Sequence, residues 1–208
     1  FVNGLGFETW SDALINNAGG DASVIVATDG VEPILVDGEI DPHAWNALTN
    51  GVIYVENIAA AMAAADAGNA DAYKANAASY VAKLHAIHAG AADRFGSLPE
   101  DGRTVVTAHD AFGYLADSYG LNFLAPVGID TEAEPSANEL AALIAHLKET
   151  GAGALFVENI TSPALIEQIS KETGLKVGGR LFSDALSERG GPATSYIAMF
   201  EHNLGAIM

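Results

Sequence analysis

The sequence predicts an α/β fold, and three observations carry the expectation. From Arg103 onward, short β-branched runs alternate with amphipathic segments, which argues for a parallel sheet with helices on both faces and makes 103–208 one α/β lobe. An unbroken apolar rhythm from Ala72 to Phe95 predicts a helix of about 24 residues, roughly 36 Å long, able to join two lobes as a strut. His109 and Asp184 each follow a predicted strand, at the carboxyl edge where open α/β sheets bind ligands.

Composition narrows the function classes. The chain has 208 residues, half of them apolar, enough for a full core in one large domain or two small ones. No apolar run reaches the roughly 18–20 residues of a membrane helix, and Glu56 and Asn57 interrupt the best stretch, Val52–Ala65. The opening FVNGLGFETW has no basic n-region and no cleavage pattern, so no signal peptide is expected in this sequence, as in a mature exported chain. Acidic residues outnumber basic ones 27 to 9, a net charge of −18 that argues against nucleic acid and anionic membranes as partners. Metal cations are not repelled, and the same charge also fits a solubility or salt adaptation. With no cysteine, any metal must be held by histidine and carboxylate.

Taken in order, Phe1–Ile15 reads as the end of a strand passing through Asn3-Gly4-Leu5-Gly6 into a short helix over Phe7–Ile15. The G-x-G is either a tight turn or a fragment of a dinucleotide-binding turn, with Thr9 where a third glycine would stand. Val24–Ala27 is the next strand, Thr28-Asp29-Gly30 a turn, and Pro33–Val36 a short extended piece before a turn at Asp37-Gly38. Asp41-Pro42-His43-Ala44-Trp45 follows, its proline stiffening the entry to a helix and preorganising His43 for a metal, for packing or for a cap. In that helix Leu48, Val52, Val55, Ala59 and Met62 form one stripe, expected to be buried along its length. Asp66–Asp71 is a polar break before the long helix, whose stripe is Tyr73, Ala77, Tyr80, Leu84, Ile87 and Ala91. His85 and His88 lie on it at i, i+3, without a further partner one turn on, and read as surface or packing residues. Ser97–Gly102 ends the helix in a turn. The parts are therefore 1–69, the remainder of an N-terminal lobe; 70–96, the linking helix; and 103–208, the C-terminal lobe.

In the last part, strand Thr104–Thr107 leads through His109 and Asp110 to a helix carrying Phe112, Leu115 and Tyr119, and Leu121–Pro126 is the next strand. Ser136-Ala137-Asn138-Glu139 is a capping box for a helix whose buried face is Leu140, Leu143, Ile144 and Leu147. Ala154–Val157 is a strand, Ser162-Pro163 starts a helix with Leu165, Ile166 and Ile169 inward, Lys176–Phe182 is the last strand and Thr194–Met208 the last helix. His109 and Asp184 would share the sheet-edge crevice, and His43 could complete it. Two imidazoles and a carboxylate suit zinc with one position open. Glu158 is either an acceptor for a ligating imidazole or a solvated loop acid, and Asp110 either such an acceptor or a helix cap, the cap being favoured. His146 and His202 read as surface or packing histidines, Trp10 and Trp45 as packing residues.

In family order, NGLGFETW, DPHAW, TAHDAFGYLADSYGL, Glu134-Pro135-Ser136, FVENITSP and LFSDALS resemble the zinc- and manganese-binding receptors of ABC importers, the ZnuA and TroA family, over nearly the whole chain. The resemblance implies two Rossmann-like α/β lobes with parallel sheets joined by one long rigid helix, and a protein that is not an enzyme. It implies Zn(II) held between the lobes, with His43, His109 and Asp184 matching three metal ligands. Glutamate is typical at the position of His109 in manganese members, so the histidine favours zinc. The family's first histidine ligand lies upstream of NGLGFE and is not in this sequence, leaving a fourth position for water, chloride or another side chain. The histidine-rich loop that many zinc members carry before DPHAW has no counterpart in Val36–Ile40. Expected partners are an ABC permease and a zinc chaperone, for a monomer working in the periplasm. The alternatives are a zinc hydrolase, for which no H-E-x-x-H or G-x-S-x-G pattern is present, and a metal-binding surface adhesin on the same fold.

Overall fold

The computed structural model describes residues 1–17, 23–99, 102–130, 135–150 and 153–208; Glu134 of the quoted motif and Glu100 and Asp101 of the turn after the long helix lie outside them. The chain forms two compact units, Phe1–His88 and Ala89–Met208. The long helix runs from the first into the second.

In the first unit, Val2 bridges Val26 in parallel, its N–H donating to the Ile25 carbonyl at 2.9 Å while Ala27 N–H donates to the Val2 carbonyl at 2.8 Å. Gly4, Leu5 and Gly6 then adopt left-handed backbone in succession, with φ of 90°, 55° and 81°, turning the chain into α1, Thr9–Asn17. A Cβ on Gly4 would lie 2.5 Å from Val26 Cγ1, so this position needs glycine for both its conformation and its closeness. The amides of Asn3 and Gly4 donate to the Glu8 carboxylate. The G-x-G is thus a tight left-handed turn whose first amide is already engaged by Glu8. β1, Leu35–Val36, pairs antiparallel with β2, Glu39–Ile40, around left-handed Asp37 and Gly38. This is the short hairpin turn that Asp-Gly favours.

A 3₁₀ turn, Ala44–Asn46, leads into α2, Leu48–Ala65. The expected stripe is buried only at its start: Leu48 is 1% exposed and Met62 38%. Its later members Val55, Ala59 and Met62, with Tyr73, Ala77 and Tyr80, instead line an open, mostly apolar groove of about 410 Å³. Trp10 is also corrected, since it is 71% exposed. Trp45 does pack, edge-on to Phe7 at 5.0 Å.

The long helix, α3, spans Ala70–Gly96, two residues beyond the apolar rhythm at the start and one at the end. In the second unit its last turns bury Ala91 and Phe95, the latter against Tyr119 at 5.3 Å. Arg103 closes the following turn by donating from Nε and Nη2 to the Leu98 carbonyl, at 3.2 and 3.0 Å.

The sheet consists of β3 Thr104–Val106, β4 Asn122–Leu124, β5 Ala154–Glu158 and β6 Val177–Leu181, all parallel in the order β4-β3-β5-β6. Helices α4 Gly113–Tyr119, α5 Ala137–Thr150 and α6 Ala164–Thr173 connect successive strands, and α7, Tyr196–Ile207, follows β6. The chain moves one way from β3 to β4 and the other way from β4 to β5. The direction of winding therefore reverses beside β3, and the carboxyl ends of β3 and β5 open into the crevice this creates. Val106, Ala108, Leu155, Ile144, Leu147, Ile166 and Ile169 form a core cluster between this sheet and α5 and α6. The capping box is realised in full: Ser136 N–H donates to Glu139 Oε2 at 2.9 Å, and Glu139 N–H to Ser136 Oγ at 3.2 Å.

Candidate metal centre

The sequence places a buried imidazole in each unit, and each is built by the same device. In the first unit, Pro42 holds the chain as it leaves β2, and its carbonyl accepts from Asn3 Nδ2 at 3.1 Å. Asn3 itself is held by the Tyr54 hydroxyl. His43 follows, 2% exposed, with Trp45 edge-on to its ring at 5.2 Å. Asp41, fully buried, places Oδ1 2.7 Å from His43 Nδ1 and accepts from His43 N–H at 2.9 Å. The carboxylate takes up Nδ1 and leaves Nε2 as the nitrogen that can bind a ligand.

In the second unit, β3 continues past its last ladder pair to His109, which bridges Val127 in parallel and is fully buried. His109 therefore stands at the carboxyl edge, as its place after a strand predicts. Glu158, the last residue of adjacent β5, reaches across: Oε1 accepts the amides of Ala108 and His109 at 2.9 and 3.0 Å, and Oε2 lies 2.7 Å from His109 Nδ1. Of the two readings of Glu158, acceptor for an imidazole and solvated acid, the geometry selects the first; the residue is 3% exposed. Asp184 follows β6 and brings Oδ2 to 3.4 Å from His109 Nε2. The structure thus unites His109 with Asp184, while His43 belongs to the other unit, beside Asp41.

The electrostatics follow from this packing. Burial opposes the charged form of His109, but hydrogen bonding to Asp184 and Glu158 and their negative charges outweigh it, and the pKa is pushed up to about 9. A protonated His109 thus offsets part of the negative charge around it when no metal is bound. A divalent cation would do so more strongly.

The residue flanking α4 is Phe112, which makes no side-chain cap bond, and the Asp110 N–H donates to the Val127 and Gly128 carbonyls at 3.1 and 3.2 Å. His85 and His146 are exposed; His202 Nε2 lies 2.9 Å from the Arg180 carbonyl, a structural contact. Asp41 is the functional residue that sequence reasoning missed. Its signal was a carboxylate two residues ahead of a histidine across a rigid proline.

Two compact α/β units, one long helix and buried carboxylate-anchored imidazoles define a class: metal-binding solute receptors of ABC transporters. The chain belongs to the family of the periplasmic zinc-uptake complex component A, which matches residues 1–208. It is 33% identical to the iron ABC transporter substrate-binding lipoprotein MtsA of Streptococcus pyogenes serotype M1, over all of this chain and 70% of the relative. Identity is 32% to the manganese ABC transporter substrate-binding lipoprotein PsaA of Streptococcus pneumoniae, with the same coverage. Among solved structures, the periplasmic zinc-binding protein TroA of Treponema pallidum superimposes with a TM-score of 0.92 at 26% identity, covering 99% of this chain and 77% of that one. A manganese-bound variant of the periplasmic metal-binding protein of Candidatus Liberibacter asiaticus gives 0.90 at 32% identity with the same coverage. The fold is accordingly the two-lobed α/β architecture with a long connecting helix, and the chain is a solute-binding protein rather than an enzyme, which removes the hydrolase alternative. No described helix is long and apolar enough to cross a membrane.

Proposed function

We propose that the protein captures Zn(II) in the periplasm through His43, His109 and Asp184 and delivers it to the permease of an ABC importer. The observation that carries the reading is the environment of His109, a fully buried imidazole with Nδ1 2.7 Å from Glu158 and Nε2 3.4 Å from Asp184. That pairing prepares one nitrogen and one carboxylate oxygen for the same cation. His43, with Nδ1 held by Asp41, offers a second nitrogen of the same kind. Two imidazoles and one carboxylate favour zinc over the harder manganese ion, which prefers carboxylate, carbonyl and water. The names of MtsA and PsaA assign iron and manganese to relatives, so the metal is the point to test. Linking 1–69 and 103–208 through 70–96 fits a receptor that presents its cargo as one monomer, loaded directly or by a zinc chaperone.

The deciding experiment is native mass spectrometry of the full chain with one equivalent of zinc, followed by competition with manganese(II) and iron(II). One zinc retained against a tenfold excess of manganese supports the reading. Displacement of zinc by manganese or iron would assign the cargo to those metals, and no metal bound by the chain would overturn the three-residue ligand set.

Metal binding must also compete with the proton on His109. Because the metal-free pKa is about 9, affinity is expected to fall as pH drops below that value, by up to about tenfold per pH unit. Calorimetry at pH 7 in buffers of different ionisation enthalpy should show close to one proton released per metal. Release of none would mean that His109 is not a ligand. The sign for folding is opposite: a histidine pKa raised above its unfolded value stabilises the metal-free fold below about pH 6.5, and this is lost as pH rises through 9.

A further inference from the structure

We infer that Asn203, on α7, is a positioning residue for Asp184, an inference that rests on Asp184 being a metal ligand. β6 is an edge strand, with β5 on one side only. The Leu181 carbonyl points toward β5, where it accepts from Asn159 N–H at 3.2 Å. Backbone groups alternate along a strand, so the N–H and C=O of Phe182 point to the open edge, where no further strand can pair with them. Asn203 fills that place. Its Oδ1 accepts from Phe182 N–H at 3.0 Å and its Nδ2 donates to the Phe182 carbonyl at 2.8 Å, so one carboxamide acts as one peptide of a missing strand.

The consequence concerns the next three residues. Asn203 is 3% exposed, Phe182 4% and Ser183 1%, so the pair is buried and water cannot replace it. On the other side of Asp184, Asn159 Nδ2 donates to the Ala185 carbonyl at 3.0 Å. Two asparagine amides therefore bracket Asp184, one at Phe182 and one at Ala185. The bracket ends the strand at a set point and aims the carboxylate at His109 Nε2. Both bonds of the Asn203 carboxamide go to Phe182, so it acts on Asp184 through the backbone.

The test is a double-mutant cycle on the full chain, with zinc affinity read by chelator competition. Asn203→Leu keeps the volume and removes both bonds; it should cost about 10–100-fold in affinity, the range for groups that orient a ligand. Leu147→Ala, a core truncation in the same unit, should leave affinity within threefold, which separates positioning from general destabilisation. In an Asp184→Ala background, Asn203→Leu should cost nothing further. The cobalt(II) absorption bands should shift with Asn203→Leu and not with Leu147→Ala. If Asn203→Leu does not fold, Asn159→Ala removes the weaker side of the bracket and should give a smaller loss that likewise vanishes in the Asp184→Ala background. An unchanged affinity in these asparagine variants, or losses that add to that of Asp184→Ala, would overturn the inference alone. An Asp184→Ala protein that binds zinc like the parent would overturn the ligand assignment, and the inference with it.

Discussion

His109→Ala should reduce zinc affinity by about 10²–10³-fold, the share of one ligand in a four-ligand site whose total is of order 10–16 kcal/mol. The ring is fully buried, and its two nitrogens are the groups that face Glu158 and Asp184. Its loss also removes the positive charge that pairs with Glu158 and Asp184 in the metal-free state. The metal-free variant should therefore melt lower than the parent at pH 7, and the gap should narrow toward pH 10, where the parent's His109 has also lost its proton. Chelator competition and thermal melts at the two pH values check both statements. A variant that kept zinc affinity within threefold of the parent would exclude His109 from the site.

Glu158→Ala should be the most damaging single change outside the ligands, because one side chain performs three tasks. Its Oε1 satisfies the buried amides of Ala108 and His109, and its Oε2 fixes the imidazole. Alanine leaves two buried donors unpaired at about 1–3 kcal/mol each, so a loss of several kcal/mol in stability is expected. It also frees the ring, at about 10–100-fold in metal affinity. Glu158→Gln separates the effects. Its carbonyl oxygen can still accept the two amides, but its NH₂ then faces His109 Nδ1 and forces that nitrogen to accept, placing the ring proton on Nε2. Stability should fall less than with alanine, because the two amides stay paired and only the charge facing His109 is lost, while zinc affinity falls. Equal loss of both in the glutamine variant would mean that Glu158 acts through folding alone.

Much of this arrangement was legible in the sequence, because it is built from local contacts. The capping box closes over three residues, the Asp37-Gly38 turn over two, and His109 stands next to the β-branched run that places it at a strand end. Other local readings failed. Trp10 has a packing residue's bulk but remains 71% exposed, and the far end of the α2 stripe lines a groove instead of a core. Burial depends on what lies opposite, which periodicity does not report.

By itself the sequence determined the α/β alternation, the long helix, the positions of His43, His109 and Asp184 at element junctions, and the exclusion of thiolate chemistry. Tertiary structure alone decided what each of these residues faces. His109 and Glu158 are 49 residues apart, and Phe182 and Asn203 are 21 apart. They meet because the strand order β4-β3-β5-β6 sets β5 beside β3 and leaves β6 with an open edge for α7 to cover. Strand order follows from the packing of whole faces. No short stretch of residues encodes it, and the geometry around His109 and Asp184 is inherited from it.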